Sequence, residues 1–262
     1  MAKLQKDVRD SMQPKIGIGV VTFNRPDYLE KCLASIEKHL KDVVDVIWVV
    51  DDGSKVKQED CPFNYHWKKN EGVGKSKNWL FKKLLAEGCD YIFICENDMI
   101  IKSPKAVTEY VRLSELSGIE HFNFAHHGPA NIGKLEMRAN GVDVYGNPVG
   151  AWCMYSARVL NEVGLMDENF HNAWEHVFHT WLISLHGYTT PWPYAACDIT
   201  GSQKYITEIP GSIENTSIKH SKKWLNSMIN GLIYWKNKDP RDFPLTRILD
   251  SLLAEEAAVE NK

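Results

Sequence analysis

Three short apolar runs, separated by segments with helical spacing, constrain the fold of this chain most strongly. The runs are Ile16 to Val21, Val43 to Val50 and Tyr91 to Cys95, and they are rich in β-branched and aromatic residues. Between them, apolar residues recur at helical spacing from Leu29 to Leu40 and from Trp79 to Leu85. The order strand, helix, strand, helix, strand predicts βαβ units, which join into a parallel sheet through right-handed crossovers. The predicted fold class is therefore α/β with a mostly parallel central sheet.

A polar cluster follows each of the three predicted strands. The clusters are Thr22 to Arg25, Asp51 to Ser54 and Glu96 to Asp98. In open α/β sheets, ligands bind outside the carboxyl ends of the strands. We therefore expect the three clusters to line one crevice.

The chain beyond Pro104 is less regular, with Gly- and Asn-rich loops between its predicted strands and helices. It ends in a helix near Lys222 to Trp235 and a polar tail from Ala254 to Lys262, which we expect to fray. The predicted divisions are one main domain at 15–205, with a regular half at 15–102 and a loop-rich half at 103–205, and a helical extension at 206–262.

The composition indicates which binding partners are disfavoured and in which cell compartment the protein is expected. The formal net charge is −3 over 262 residues, which gives no overall attraction to nucleic acid or membrane. The six cysteines are scattered without a CxxC pair, so we expect reduced thiols and no structural zinc. Apolar stretches of about 18 residues and a signal-like apolar segment are both lacking, so we expect a cytoplasmic protein with no integral membrane segment.

The segment Glu96 to Asp98 carries two carboxylates one residue apart on a turn after a buried strand. Such a pair suits a hard divalent cation, Mg²⁺ or Mn²⁺, with a bound diphosphate supplying further oxygens. An isolated pair of this kind more often caps a helix or solvates a loop. Its position beside two other polar strand ends favours the metal site.

The other two polar segments fit the binding of a nucleotide. Carboxylates at Asp51 and Asp52 can accept hydrogen bonds from a base or from ribose hydroxyls, although Asp-Gly is also a common turn. The later segment Asn70 to Asn78 contains Gly-Lys-Ser before a helix, but Lys69 stands where a P-loop has its first glycine. A nucleotide-hydrolysing P-loop is therefore disfavoured, and Lys75 and Asn78 are expected to donate to a ligand.

Taken in order, these segments resemble glycosyltransferase family 2 and its relatives of the GT-A fold. The resemblance covers about residues 15 to 190 and implies a nucleotide-sugar-binding half at 15–102 and an acceptor half at 103–205. The motifs that carry it are Val20–Pro26, Val49–Ser54, Asn70–Asn78, Glu96–Asp98, Gly164–Phe170 and Trp174–His176, followed by Gly187-Tyr188.

The resemblance also implies which residues contact the donor and the metal. Asp98 is the implied metal ligand, while Glu96 stands in place of the usual first Asp and reaches the ribose or a metal-bound water. His220 is a candidate third ligand from a C-terminal loop. The residues implied to line the nucleotide-sugar site are Thr22, Asn24, Arg25, Asp51, Asp52, Lys75, Asn78, Glu96 and Asn97.

An acceptor hydroxyl needs a general base in an inverting enzyme but not in a retaining one. Glu175 matches the Glu of the family's Glu-Asp motif, and His176 stands where the Asp that often serves as base would be. Either could act, with Glu175 preferred, if its surroundings give it a suitable pKa. The adjacent His126 and His127 would point to opposite faces of an extended segment, so at most one could bind metal, and we assign this loop to the acceptor side.

The resemblance implies transfer of one sugar from a nucleoside diphosphate sugar, UDP-linked, to an acceptor hydroxyl, with Mn²⁺ or Mg²⁺ as cofactor. A glycan or lipid-linked precursor is the favoured acceptor. Hydroxymethylated bases of phage DNA are an alternative, suggested by basic residues between Lys219 and Arg241. A nucleotidyltransferase or a non-catalytic nucleotide-sugar binder is an alternative of another class. Donor sugar, stereochemical outcome and oligomeric state are left open.

Overall fold

The computed structural model describes residues 13–190, 195–212, 215, 222–238 and 245–260. The strands are β1 (Ile16–Thr22), β2 (Val46–Asp51), β3 (Asn64–Trp67), β4 (Tyr91–Glu96), β5 (Met99–Ile101), β6 (His121–Asn123), β7 (Leu135–Ala139), β8 (Val142–Tyr145), β9 (Trp152–Ser156), β10 (Ala196–Ile199) and β11 (Ile206–Glu208). The helices are α1 (Pro26–Leu40), α2 (Val73–Ala86), α3 (Lys105–Ser117), α4 (Ala157–Glu162), α5 (Glu175–Leu185), α6 (Lys222–Lys238) and α7 (Thr246–Glu260), with a 3₁₀ turn at Ser202–Lys204.

The central sheet has six strands in the order β3-β2-β1-β4-β9-β6. Strands β3, β2, β1 and β4 run parallel, whereas β9 is antiparallel to both β4 and β6. The predicted α/β class with a mostly parallel sheet is confirmed. Strand β3 was not predicted from the sequence, because two of its four residues are exposed and it lacks a run of apolar side chains.

Helices cover both faces of this sheet. Residues Ile16, Ile18 and Val20 of β1 pack with α1 on one face, while α2 packs on the other face against β2 and β4. Glycines at positions 17 and 19 let α2 approach β1 closely. A Cβ atom on Gly19 would lie 2.9 Å from Leu80 of α2, nearer than real Cβ contacts allow.

The register brings the carboxyl ends of the parallel strands to one level. Thr22 of β1 is the Cα partner of Asp51 in β2, and Asp51 is the partner of Trp67 in β3. On the other side, Val21 is the partner of Glu96 in β4. The three polar clusters predicted from the sequence therefore share one edge of the sheet.

The second half of the chain adds smaller layers to this edge. Strands β10, β8 and β7 form an antiparallel sheet, and β11 pairs with β5 directly after the acidic turn. Helices α6 and α7 pack on α5 through an aromatic cluster that includes Phe178, Trp181 and Trp235. The predicted boundary at residue 205 stays a prediction, and β11, just beyond it, is bonded to the main domain.

The end of the chain differs from the sequence expectation. Residues 254–260, expected to form a frayed tail, continue the helix α7. Leu249 of α7 is buried in the aromatic cluster, which anchors the part of the helix before the polar segment. Of the helices in the described ranges, none combines the length and apolar character needed to cross a membrane.

Candidate functional site

The acidic turn lies between β4 and β5 and is fastened to the end of β1. The side-chain amide of Asn97 donates to Thr22 Oγ1 at 2.7 Å. Asp98 is 5% exposed, and its Oδ2 lies 3.1 Å from Arg25 Nη1 and 3.5 Å from His127 Nε2. Four of the predicted donor-site residues, Thr22, Arg25, Asn97 and Asp98, are thus brought into one contact network.

Two positively charged or chargeable side chains control the ionisation of Asp98. Burial acts to raise the pKa of Asp98, but the adjacent His127 and Arg25 outweigh it, so this pKa lies below its ordinary value. Within the part of the chain that the structure describes, Asp98 Oδ1 is buried without a hydrogen-bond partner. An ionised, buried carboxylate oxygen that lacks a donor is well suited to a cation.

Glu96 and Asp98 together fit the implied Mg²⁺ or Mn²⁺. Both supply carboxylate oxygens, which hard cations prefer, and the Glu96 side chain is 32% exposed at the site. No group of three or more His, Cys, Asp or Glu residues among those described is arranged to hold a metal alone. A diphosphate would therefore have to complete the ligand set. His220, the predicted third ligand, lies outside the described residues.

A buried lysine, Lys77, connects the acidic turn to α5. Its Nζ lies 2.9 Å from Glu96 Oε1, 3.3 Å from Glu175 Oε1 and 3.3 Å from the carbonyl oxygen of Gly150. Burial acts to lower the pKa of Lys77, but the two carboxylates outweigh it and raise the pKa above its ordinary value. Lys77 is therefore an ammonium ion that bridges the predicted metal and base residues.

Sequence reasoning selected Lys75 and missed Lys77. The two lysines differ in helix phase, because α2 begins at Val73 and turns Lys77 inward while the Lys75 side chain stays 40% exposed. Lys75 Nζ lies 3.6 Å from Glu71 Oε1 at the surface. The only available signal was the apolar periodicity of α2, which would have placed Lys77 beside buried Leu80, Phe81 and Leu84.

Glu175 and His176 begin α5 and touch each other. His176 Nδ1 lies 3.2 Å from Glu175 Oε1, and the two side chains are 22% and 4% exposed. Burial acts to raise the pKa of Glu175, but the charge of Lys77 and the neighbouring His176 outweigh it and hold the pKa far below its ordinary value. A carboxylate so strongly stabilised in its ionised form is a weak proton acceptor.

The carboxylates of Asp51 and Asp52 are both engaged by the protein. Asp51 accepts from Tyr65 Oη at 2.6 Å and from the backbone N–H of Ser54 at 2.7 Å. Asp52 accepts from Lys68 Nζ at 2.6 Å and from the backbone N–H groups of residues 71 and 72. These bonds fix the loop after β2 to the segment before α2, and contact of either carboxylate with a nucleoside stays a prediction.

Asn24 and Asn78 occupy different surroundings. Asn24 is exposed in the loop after β1, with φ 51°, and its Oδ1 accepts from the backbone N–H of Lys55 at 2.9 Å. Asn78 is buried, donating to the carbonyl oxygen of Met166 at 2.8 Å and accepting from the Met166 N–H at 3.0 Å. The Asn78 amide therefore joins α2 to the segment before α5. Asn24, by contrast, is exposed to solvent in the loop that follows β1.

The adjacent histidines face different partners. His127 approaches Asp98, as described above, whereas His126 Nε2 lies 3.2 Å from Tyr145 Oη and 2.6 Å from Gln203 Nε2. The expectation that they diverge is confirmed. The bond from Gly128 N–H to Glu208 Oε2 at 2.9 Å holds this loop against the acidic turn, and its assignment to the acceptor side stays a prediction.

Comparison with known proteins agrees with this architecture. The Glycosyl transferase family 2 sequence model matches residues 18–112, which run from β1 into α3. No curated protein matches the chain significantly in sequence.

Solved structures share the fold at low sequence identity. TarS residues 1–349 from S. aureus, in complex with UDP-GlcNAc, is 15% identical with a TM-score of 0.53, over 91% of this chain and 71% of that one. The mannosyltransferase of Pyrobaculum calidifontis, in complex with GDP-Man and Mn²⁺, is 13% identical with a TM-score of 0.57, over 92% and 69%. GalNAc-T7 with UDP, GalNAc and Mn²⁺ is 9% identical with a TM-score of 0.58, over 92% and 54%.

The chain is shorter than several of these proteins. It spans 66% of TarS 1–349 in one structure and 42% of the longer TarS chain. The shared fold shows that this chain has the GT-A fold, and the sequence match shows that residues 18–112 are similar to glycosyltransferase family 2.

Proposed function

We propose that this chain transfers one sugar from a UDP-linked donor to an acceptor hydroxyl of a glycan or lipid-linked precursor, with Mn²⁺ or Mg²⁺. One observation carries the proposal. Among the described residues, Asp98 Oδ1 is buried without a hydrogen-bond partner, and it lies in the segment that resembles family 2. Lys77 connects this segment to Glu175, which contacts His176. A cation held by Asp98 would offset the negative charge that develops on the departing nucleoside diphosphate.

Glu175 and His176, at the start of α5, have different roles in the proposed reaction. Glu175, kept ionised by Lys77, accepts a hydrogen bond from His176 Nδ1–H, which fixes the ring and leaves Nε2 as the proton acceptor. The acceptor oxygen attacks the anomeric carbon, the bond from that carbon to the diphosphate breaks, and His176 Nε2 takes the hydroxyl proton. We therefore favour His176 over Glu175 as base, with Glu175 as its positioning residue.

The decisive test is release of nucleoside diphosphate from a panel of UDP- and GDP-sugars with Mn²⁺ or Mg²⁺. We expect Asp98→Ala to lower the release rate by at least about 100-fold, because it removes a group that stabilises the leaving charge. Asp60→Ala, at an exposed position before β3, is the matched control and should retain the wild-type rate.

The products separate this proposal from its rivals. Release of pyrophosphate would indicate a nucleotidyltransferase, and binding of a nucleotide sugar without turnover would indicate a non-catalytic binder. Full activity of Asp98→Ala in saturating Mn²⁺ would refute the metal site. If His176→Gln retains the wild-type turnover number, the reaction does not use His176 as base, as expected of a retaining enzyme.

A further inference from the structure

Residues 126–128 form a loop after β6 that is held against the acidic turn through strand β11. Strand β11 pairs with β5 so that Glu208 is the Cα partner of Met99, and the N–H of Ile209 donates to the carbonyl oxygen of Asp98 at 2.7 Å. Glu208 Oε2 in turn accepts from the N–H of Gly128. The position of His127 beside Asp98 is thus set by the acidic turn, by β11 and by the Glu208 side chain that bonds the loop.

His127 lies beside two acidic side chains, and its Nε2 lacks a hydrogen-bond partner among the described residues. Its Nε2 lies 3.5 Å from Asp98 Oδ2 and 3.9 Å from Glu208 Oε1. In the described part of the chain, His127 Nε2 and Asp98 Oδ1 are both buried and lack a hydrogen bond of good geometry. Two unpartnered polar atoms of metal-binding type therefore come from adjacent side chains.

The separation of these groups suits a shared cation. Metal bonds to imidazole nitrogen and carboxylate oxygen are about 2.1 Å long. His127 Nε2 lies 3.5 Å from Oδ2 of the Asp98 carboxylate, so the imidazole and this carboxylate are close enough to bind one ion. Imidazole is an acceptable ligand for Mn²⁺ alongside carboxylates, although it is disfavoured for Mg²⁺. A histidine at this position would therefore bias the site toward Mn²⁺.

We propose that His127 binds the divalent cation together with Asp98 and makes the site selective for Mn²⁺ over Mg²⁺. The inference rests on the proposed function, because it concerns the cation of the same site. It gives the loop after β6 a role in donor binding, which the sequence did not predict.

The test is Mn²⁺ binding to the full chain in the presence of UDP, measured by calorimetry and by electron spin echo spectroscopy. We expect His127→Gln to weaken Mn²⁺ binding by at least about 10-fold and to remove the ¹⁴N modulation that a coordinated imidazole produces. Mg²⁺ binding should change less than about 3-fold, since Mg²⁺ relies on oxygen ligands. Thermal melting of each variant establishes that it is folded.

The adjacent His126 provides a matched control. His126→Gln should leave both the Mn²⁺ affinity and the ¹⁴N modulation unchanged. The proposal fails if His127→Gln binds Mn²⁺ as wild type does with the modulation intact, while Asp98→Asn loses the metal. If the wild type binds no Mn²⁺ with UDP or with GDP, the metal dependence in the proposed function fails as well.

Discussion

At the scale of single residues, the site is organised by charges buried against one another. Lys77 is fully buried, yet its ammonium group contacts two carboxylates that lie 19 and 98 residues further along the chain. Its role could not be predicted from the sequence, because its partners meet it only after the sheet and α5 have packed. The position of the acidic turn at a strand end, by contrast, predicted a metal site, and the resemblance to family 2 implied Asp98 as the ligand. In the described residues its Oδ1 is buried without a hydrogen-bond partner, which supports that prediction.

Replacement of Lys77 by methionine should destabilise the fold. Lys77→Met leaves Glu175 buried without its ion partner, which costs about 3–5 kcal/mol of unfolding free energy. Urea denaturation measures the change. The control is Lys75→Met at an exposed position of the same helix, expected to alter stability by no more than about 0.5 kcal/mol. Equal effects of the two substitutions would contradict the bridging role of Lys77.

At the scale of elements, the packing of α2 on the sheet depends on small residues in β1. The periodicity of apolar residues predicted both elements, although α2 begins at Val73, well before Trp79, the first residue of its predicted apolar face. The periodicity did not give the distance between them. That distance follows from Gly17 and Gly19, which bring the backbone of β1 close to Leu84 and Leu80.

A methyl group at position 19 should therefore disturb this interface. We expect Gly19→Ala to lower the free energy of unfolding by about 1–3 kcal/mol, because its Cβ would meet Leu80 at 2.9 Å. In combination with Leu80→Ala the cost should be less than the sum of the two single changes, since the shortened side chain gives room. Strict additivity in a double-mutant cycle would show that the two positions do not touch.

At the scale of the whole molecule, acid sensitivity should follow from two fully buried histidines, His121 and His179. Burial lowers the pKa of His121 to about 3 and that of His179 to about 4. Both are buried neutral, whereas the unfolded chain protonates them near pH 6.5. Their contribution to stability is present above about pH 6.5, and it is lost as the pH falls from there toward the pKa values of the two histidines in the folded state. Asp198, whose pKa burial raises to about 6, acts in the opposite direction.

The contribution of one buried histidine can be isolated by substitution. His179→Gln keeps a donor for the carbonyl oxygen of Gly164, to which His179 Nε2 bonds at 2.9 Å, but it cannot be protonated. Between about pH 6 and 4.5, we expect the slope of unfolding free energy against pH to fall by about 1.4 kcal/mol per pH unit. Exposed His186→Gln serves as control. An unchanged slope in His179→Gln would exclude this source of acid sensitivity.

The amino-acid sequence by itself determined the α/β class, the parallel strands and the convergence of three polar segments, because these depend on local periodicity and on the general geometry of βαβ units. The tertiary structure decided what each polar residue contacts. Asp51, Asp52 and Asn78 are bonded to the protein, Lys77 joins Glu96 to Glu175, and His127 reaches Asp98 through the pairing of β11 with β5. Such contacts join segments that are far apart in sequence, so they cannot be predicted from the spacing of residues along the chain.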